Sequence, residues 1–247
     1  MKERKNAKLL GKGTWITIGS PIITELVSIY KFDWLLFDME HGYLTESSLL
    51  GNLQAVRNDE VKQIVRVPSF DPFLIARVLD RGASGIMMPH VSSSDQAKAC
   101  VSSMRYPPIG TRGYSGQARC FGYGMSTPKD MKSMDPPLLL VQIEDYAGVM
   151  NAEAIAQVEG VDVLFVGPSD LKLDLSSRDG LTLEFTDAIR IVANAAKKCN
   201  KQAGILVKNV GDIPKYTQLG FSCLAIDSDL GILRKGYESL IAQLNNQ

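Results

Sequence analysis

Eight short runs of apolar and β-branched residues alternate with segments of helical periodicity along almost the whole 247-residue chain. The runs are apolar on both faces, which is typical of parallel strands covered by helices. Eight such units in about 250 residues predict an α/β fold of the closed (β/α)8 TIM barrel type. The predicted strands cover 14–19, 34–39, 62–68, 85–91, 138–145, 161–167, 203–209 and 221–227. The predicted helices cover 21–31, 45–58, 71–81, 94–104, 148–158, 183–199, 211–219 and 230–245.

Local signals support several of these boundaries. Thr45 and the pair Asp71-Pro72 are typical helix starts, whereas Gly82 and Gly220 are typical residues just beyond a helix end. A doubly wound open sheet is the alternative fold. Such sheets usually have fewer strands, and no G-x-G-x-x-G motif follows the first predicted strand.

The chain has no linker rich in Pro, Gly or Ser that would divide it, so we expect one barrel domain over residues 1–247. One connection, at about 106–137, is unusually long. Loops of this length in a compact domain are usually functional or mobile, and a plain surface excursion is the alternative.

Charge and cysteine content narrow the class of protein. Lys plus Arg and Asp plus Glu both number 27, a balance without the basic footprint of a nucleic-acid or membrane-surface protein. The four cysteines are far apart and form no C-x-x-C pair, which fits a reducing compartment. The basic start "MKERKNAKLLGKG" leads into no apolar signal segment, and no run is long enough to cross a membrane. We therefore expect a cytoplasmic location.

Polar residues follow the carboxyl ends of the predicted strands, where β/α barrels carry their chemistry. Both histidines of the chain, His41 and His90, are among them, whereas the opposite strand ends carry no comparable set of polar residues. Because these ends meet at one rim of a barrel, we expect the side chains to converge there. The polar residues at this rim are Glu40, His41, Arg66, His90, Gln142, Glu144, Asp145, Asp170, Lys208, Asn209, Asp227, Ser228 and Asp229.

Single members of this set have simpler explanations. Asp145 and Asp229 are suited to capping the helices that follow them. Arg66 is suited to an ion pair with a neighbouring acid, and His90 to a rim position without a catalytic role. The convergence of many such residues is the stronger signal.

Six blocks of this sequence resemble the metal-dependent class II pyruvate aldolases of the phosphoenolpyruvate/pyruvate barrel superfamily. The resemblance extends over about residues 11–245, in the family's order and spacing. Members of that family include 4-hydroxy-2-oxoheptanedioate, 2-keto-3-deoxy-L-rhamnonate and 5-keto-4-deoxy-D-glucarate aldolases. The blocks are "FDWLLFDMEHG", "IVRVPSFDPFLIARVLDRGASGIMMPHV", "MRYPPIGTRG", "LLLVQIED", "VEGVDVLFVGPSDL" and "AIDSDLGILR".

The resemblance implies a carbon–carbon lyase that reversibly cleaves a 4-hydroxy-2-oxo acid, such as a 2-keto-3-deoxy sugar acid, to pyruvate and an aldehyde. It implies a divalent metal that stabilises the enolate, with Glu144 and Asp170 as ligands. Carboxylates are hard donors suited to Mg²⁺ or Mn²⁺, with Co²⁺ as a further candidate. The backbone N–H groups of Ser169 and Asp170 are expected to hold the pyruvate carboxylate, and Gly167 to allow close backbone approach.

The same resemblance implies roles for four more residues near the substrate. His41 matches the acid/base histidine that relays the hydroxyl proton at the start of cleavage. Arg66 matches the arginine that holds the keto oxygen and offsets charge on the enolate. Asp38 is expected to orient nearby groups, and Gln142 to line the floor of the substrate site.

Asp80 also matches a family position linked to the histidine. A residue at the end of a helix lies at the bottom of its own barrel, so we expect Asp80 to meet the His41 of a neighbouring subunit. The family resemblance implies a hexamer with active sites at subunit interfaces. In the long loop, Arg112 and Arg119 are expected to grip an acidic acceptor, because guanidinium matches carboxylate.

Three other functions stay open on the sequence. One is a citrate-synthase-like condensation of acetyl-CoA with oxaloacetate, known from siderophore pathways on similar barrels. Another is a Schiff-base aldolase with Lys172 or Lys208 as nucleophile. The third is a ligand-binding barrel without catalytic activity.

Overall fold

The computed structural model describes residues 9–131 and 134–246. The predicted domain limits at 1 and 247, and positions 132 and 133 of the predicted long loop, lie outside the described residues. Eight parallel strands close into a barrel in chain order, and β1 pairs with β8 to complete it. The predicted TIM barrel is therefore confirmed, and the doubly wound open sheet is excluded.

The strands and helices follow the predicted order. The strands are β1 (Lys12–Ile16), β2 (Trp34–Asp38), β3 (Lys62–Arg66), β4 (Gly85–Met88), β5 (Leu138–Ile143), β6 (Val163–Val166), β7 (Gln202–Val207) and β8 (Phe221–Ser228). The helices are α1 (Pro21–Ser28), α2 (Glu46–Ala55), α3 (Pro72–Asp80), α4 (Ser94–Met104), α5 (Tyr146–Met150), α6 (Ala152–Ala156), α7 (Pro168–Ser176), α8 (Phe185–Lys198), α9 (Ile213–Gln218) and α10 (Asp229–Asn245).

The predicted helix signals are found where they were expected. The Thr45 hydroxyl accepts from the N–H of Ser48 at the start of α2, and Asp71 accepts from two N–H groups at the start of α3. Gly82 and Gly220 follow α3 and α9 with φ of +94° and +97°, a region that favours glycine.

Two helices differ most from the prediction. The helix predicted over 148–158 is split into α5 and α6 at Asn151, whose φ of −95° and ψ of 5° end one helix and begin the next. Helix α7 was not predicted, because "PSDLKLDLS" lacks a clear apolar stripe and only three of its nine residues are buried. It begins directly after β6 and places Asp170 in its first turn.

The barrel interior is filled by every second residue of the strands. Trp34 and Phe165 meet edge to face inside it, with ring centroids 6.2 Å apart. Gly13 makes room for this packing, since a Cβ there would lie 2.3 Å from the Trp34 ring. The interior cluster consists of Leu10, Trp15, Trp34, Leu36, Ile64, Met87, Leu140, Val163, Phe165, Cys223 and Ala225. A larger apolar layer separates the sheet from the helices.

The same alternation decides which side chains reach the mouth of the barrel. On several strands, the residue two positions beyond an interior apolar residue is polar and points to the same side of the sheet. Asp38 follows Leu36 in this way on β2, and Arg66 follows Ile64 on β3. This explains why strongly apolar strands end in charged residues. The apolar residues form the barrel wall, and the last residue of the strand lines the mouth.

The long connection lies at the opposite end of the barrel. It leaves α4 and enters β5, so it belongs to the face where the strands begin. Its aromatic residues Tyr106, Tyr114 and Phe121 pack together with ring centroids 5.7 to 6.4 Å apart. Within the described part of the chain, no helix combines the length and the apolar character needed to cross a membrane.

Candidate active site

A buried ion pair joins the ends of β2 and β3. The register of these strands places Asp38 directly beside Arg66. Arg66 donates from Nε to Asp38 Oδ1 at 2.9 Å and from Nη2 to Asp38 Oδ2 at 2.7 Å. Both side chains are almost completely buried, with exposures of 2% and 4%. The two parallel bonds fix the plane of the guanidinium, so its remaining N–H groups have a defined direction.

Glu40 and His41 are arranged around this pair. The N–H groups of both residues donate to Asp38 Oδ1, at 3.0 and 3.2 Å. Arg66 Nη1 lies 2.8 Å from Glu40 Oε2, an ion pair rather than a well-aligned hydrogen bond. Trp15 closes the other side, since the Arg66 guanidinium lies 4.3 Å from its ring centroid. The His41 side chain is 68% exposed and faces the mouth.

Glu144 occupies the other half of the mouth, beyond the end of β5. Its side chain is 3% exposed, and Oε1 accepts from Gln142 Nε2 at 2.6 Å. Gly167 gives the carboxylate its space: a Cβ at that position would lie 2.1 Å from Glu144 Oε1. A residue without a side chain is therefore required at this position to leave room for Glu144. The close approach of the pyruvate carboxylate to the backbone of Gly167 stays a prediction.

The surroundings of Glu144 disfavour the charged form of its carboxyl group relative to a carboxyl group in water. Burial raises the pKa of Glu144, and the negative charges of Asp170 and Glu40 act in the same direction. The hydrogen bond from the N–H of His90 and the charge of the imidazole oppose this rise. A positive charge placed beside Glu144 and Asp170 would relieve the repulsion between them.

His90 links two of the acids, which the sequence did not indicate. Its Nδ1 lies 3.4 Å from Glu144 Oε2, and its Nε2 lies 3.4 Å from Glu40 Oε1. The backbone has φ of +52°, an uncommon value for a residue with a side chain. His90, for which the sequence suggested no partner, thus contacts two carboxylates. Its left-handed backbone conformation distinguishes it from the other rim residues, and such a conformation cannot be seen in a sequence.

The start of α7 adds backbone donors to the site. Gly167 precedes the helix, Pro168 is its first residue, and the first intrahelical bond runs from Leu171 N to Gly167 O at 3.0 Å. The N–H groups of Ser169 and Asp170 come before this bond and have no acceptor within the helix. Pro168 has no N–H to offer. The two remaining groups and the helix dipole favour an anion at this point.

The residues at the mouth fit a divalent cation. Among residues 9–131 and 134–246, no three His, Cys, Asp or Glu side chains are grouped as a metal site. Two carboxylates, Glu144 and Asp170, suffice for a hard cation whose other positions are filled by water and substrate. Gln142 Oε1 is buried without a hydrogen-bond partner in the described residues. Asp38 and Glu40 share the Arg66 guanidinium, whereas Glu144 and Asp170 form no ion pair with a Lys or Arg side chain of the described residues. Charge balance therefore calls for added positive charge.

Three residues expected at a substrate site lie elsewhere in their own barrel. Arg112 and Asp80 pair with each other at 2.6 Å, on the face where the strands begin. The Arg112 guanidinium is also stacked 4.7 Å from the Tyr106 ring centroid. Arg119, from the same loop, donates to the carbonyl of Arg81 at 2.6 Å. Within one chain, the structure does not bring these residues to the mouth, because the loop follows a helix rather than a strand and Asp80 is the last residue of α3.

Two strand-end acids serve the backbone instead. Asp145 caps α5, accepting from Gly148 N at 2.6 Å, so its capping role is confirmed. Asp229 is 4% exposed and accepts from the N–H groups of Thr17 and Ile18. It therefore anchors the segment after β1, and the capping residue of α10 is Ser228.

A cavity of about 260 Å³ opens beside His41 and Arg66. It extends from the Asp38 pair toward the ends of β7, β8 and β1, on the side of the mouth away from Glu144. The residues that line it are Trp15, Thr17, Asp38, His41, Tyr43, Arg66, Leu206, Lys208, Asp227, Ser228 and Leu230.

Comparison with known proteins gives consistent matches over nearly the full chain. The model of the HpcH/HpaI aldolase/citrate lyase family matches residues 12–235. A 5-keto-4-deoxy-D-glucarate aldolase from Klebsiella pneumoniae is 38% identical over 229 residues, 92% of this chain and 90% of the relative. A crystal structure of a HpcH/HpaI aldolase/citrate lyase family protein from Burkholderia cenocepacia J2315 superposes with a TM-score of 0.88 at 29% identity. It covers 95% of this chain and 94% of the other.

One solved structure carries a different activity in its name. Citrate synthase SbnG superposes with a TM-score of 0.81 at 25% identity, over 96% of this chain and 93% of the other. The barrel is therefore shared by proteins named for an aldol cleavage and for a citrate-forming condensation.

Proposed function

Because the chain belongs to the HpcH/HpaI aldolase/citrate lyase family, we propose that it is a class II aldolase. It cleaves a 2-keto-3-deoxy acid reversibly to pyruvate and an aldehyde. The observation that carries the proposal is the buried Glu144 carboxylate beside Asp170, across the mouth from the Arg66 guanidinium and His41. The relatives named as 5-keto-4-deoxy-D-glucarate aldolases support a sugar acid as the substrate class.

Glu144 and Asp170 would hold the divalent cation, which is Mg²⁺, Mn²⁺ or Co²⁺. When bound, the cation supplies Lewis-acid stabilisation of charge that develops on the keto oxygen. Gln142 positions Glu144 through the 2.6 Å hydrogen bond to Oε1. The N–H groups of Ser169 and Asp170 bind the carboxylate of the substrate.

Arg66 binds the keto oxygen. A guanidinium has five N–H groups, and the described contacts engage one each on Nε, Nη1 and Nη2. One N–H therefore remains on Nη1 and one on Nη2, and the Asp38 pair fixes their direction. Such fixed donors stabilise negative charge without reorganising during the reaction.

His41 accepts the proton of the hydroxyl group whose loss starts the cleavage. Its side chain is exposed at the mouth and lines the same cavity as Arg66. Asp38 Oδ1 holds its backbone N–H at 3.2 Å, which keeps the residue at the rim. In the direction of synthesis, the imidazolium gives the proton to the alkoxide oxygen formed from the aldehyde, which becomes the new hydroxyl group.

A retro-aldol panel tests this function. A set of 4-hydroxy-2-oxo acids is incubated with the protein, and pyruvate is measured with EDTA and with added Mg²⁺, Mn²⁺ or Co²⁺. We expect metal-dependent release of pyruvate, its loss in Glu144→Ala, and a decrease of about 10²–10⁴-fold in His41→Ala. Pyruvate release that persists in EDTA would count against the metal-dependent mechanism.

The citrate-forming condensation is the second candidate, because the barrel superposes on citrate synthase SbnG with a TM-score of 0.81. Incubation with oxaloacetate and acetyl-CoA, followed by mass spectrometry of the products, separates the two. We expect no citrate. Citrate formation at a rate above that of retro-aldol cleavage would replace the aldolase assignment.

We also propose a homo-oligomer, the hexamer of the family resemblance, in which Asp80 meets His41 of a neighbouring subunit. Helix α10 supports an interface: Asp229 is its only buried residue, and several large apolar side chains stay exposed in the single chain. These are Leu230, Ile232, Leu233, Tyr237, Leu240, Ile241 and Leu244. Sedimentation analysis tests the assembly, and a monomer at micromolar concentration would contradict it.

We propose that the barrel is the single domain of residues 1–247, and that the protein is cytoplasmic. The four cysteines are free thiols, in keeping with a reducing compartment.

A further inference from the structure

Lys208 is placed at the mouth by the same alternation that places the acids. On β7, Leu206 packs against the interior cluster of the barrel. Lys208 follows two residues later, on the same side, and lines the cavity together with His41 and Arg66. The strand thus repeats the pattern of Leu36 and Asp38, but ends in an ammonium group instead of a carboxylate.

Asp227, an acid that lines the same cavity as Lys208, already forms an ion pair with another lysine. Asp227 Oδ2 lies 2.6 Å from Lys235 Nζ, and the same ammonium group donates to the carbonyl of Lys208 at 3.0 Å. Asp227 Oδ1 accepts from the N–H of Ser228, and a Cβ at Gly231 would lie 2.2 Å from it. Asp227 is therefore held toward Lys235, and Lys208 has no ion pair with a described residue.

The cavity between Lys208 and His41 has the composition of a binding site for the far end of a substrate. Trp15, Leu206 and Leu230 give it an apolar wall, and Lys208 gives it one uncompensated positive charge. Glu144 and Asp170, the proposed metal ligands, are not part of its lining. A substrate whose keto acid end lies between Glu144 and Arg66, with its hydroxyl at His41, extends into this cavity.

We propose that Lys208 binds a terminal anionic group of the aldehyde, a carboxylate or a phosphate, and so selects acidic aldehydes over neutral ones. The proposal rests on the aldolase function proposed above and names the residue that sets its acceptor specificity. Lys208 acts here as an ion-pair donor to the substrate and forms no covalent bond with it.

The test measures aldol addition of pyruvate to two pairs of aldehydes, with the full-length protein and Mn²⁺. The pairs are 4-oxobutanoate with butanal, and glyceraldehyde 3-phosphate with glyceraldehyde. Within each pair, the preference is the ratio of kcat/KM for the anionic member to that for the neutral one. The carboxylate pair and the phosphate pair distinguish the two anions.

We expect Lys208→Met to lower this preference by about 10- to 100-fold in one of the pairs, the factor for losing a hydrogen bond to a charged group. Most of the change is expected in the KM of the anionic aldehyde. Lys208→Arg keeps the charge and should retain most of the preference. Lys197→Met, on the exposed face of α8, removes a lysine outside the site and should match the unmodified protein.

An equal effect of Lys208→Met on both members of each pair, or no effect, would overturn the proposal. A Lys208 adduct after borohydride reduction with pyruvate would also overturn it, because the lysine would then be a nucleophile. Exchange of the pyruvate methyl protons with D₂O, followed by NMR, separates these results from failure of the aldolase function. If the pyruvate protons exchange but Lys208→Met leaves the preference for the anionic aldehyde unchanged, only the role of Lys208 is refuted. If neither proton exchange nor aldol addition occurs, the proposed function is refuted, and this inference with it.

Discussion

Replacing Asp38 with Asn should destabilise the barrel and abolish activity, because it removes one partner of a buried ion pair. Asp38 accepts two hydrogen bonds from Arg66 and two from backbone N–H groups. Asn has nearly the same shape but no charge, and its amide nitrogen cannot accept from Arg66. The guanidinium, 4% exposed, would lose its main partner without access to water.

The size of the effect follows from burial. Breaking a buried pair by removing one partner costs about 3–5 kcal/mol. Glu40 remains 2.8 Å from Arg66 Nη1 and compensates part of the charge, so the lower end of that range applies. At about 2–4 °C per kcal/mol for a chain of this size, a loss of about 3 kcal/mol lowers Tm by about 6–12 °C.

The assay is thermal unfolding followed by circular dichroism, with all variants at the same protein concentration. Asp95→Asn is the matched control, since Asp95 forms an exposed ion pair with Lys98 and should leave Tm unchanged. Adding Arg66→Met to Asp38→Asn removes the stranded charge and should restore part of the lost stability, although not activity. If Asp38→Asn changes Tm no more than Asp95→Asn does, the buried pair does not contribute the stability that its burial implies.

Two further predictions concern the site and the core. In Gly167→Ala, the new Cβ would lie 2.1 Å from Glu144 Oε1 and would displace this carboxylate. We expect Mn²⁺ binding, measured by EPR titration, to weaken by about 10-fold or more. Gly113→Ala is the control, because a Cβ at Gly113 has no atom within 4 Å. Equal Mn²⁺ affinity of the two variants would show that Glu144 does not need this space. Burial raises the pKa of Cys100 to about 12 and also raises the pKa of Cys223. Because the thiolate is the reactive form and its fraction falls as the pKa rises, both thiols should resist a disulfide reagent at pH 8 until guanidinium unfolds the protein. Rapid modification of Cys223 in the native state would contradict its burial.

The barrel was predictable because each strand carries its own signal. The alternation of apolar runs and helices fixes the order of elements, and strand ends such as Asp38 and Arg66 can be assigned to the mouth from period two alone. The split at Asn151 was not predictable, because it depends on the φ and ψ of one residue. Helix α7 was missed for a related reason, since its sequence has little apolar periodicity and the helix is determined by its position after β6.

The contacts between residues of the site were harder to predict than the identity of those residues. The sequence indicated His90 and Glu40 as rim residues, but their contact with each other depends on the left-handed backbone of His90. The long loop with Arg112 was expected near an acceptor, yet its place after a helix takes it to the other face of its own barrel. A role for it at an active site therefore requires a second subunit. The sequence also did not show that Lys208 lacks an ion pair with a described residue. This depends on the contact between Lys235 and Asp227, which lie on different elements.

Anomalous diffraction from crystals grown with Mn²⁺ and pyruvate tests the proposed chemistry most directly. We expect one strong peak between the carboxylates of residues 144 and 170, at about 2.0–2.3 Å from an oxygen of each, with pyruvate lying between that ion and Arg66. A fully ordered mouth without a manganese peak, or a peak bound by other side chains, would contradict it.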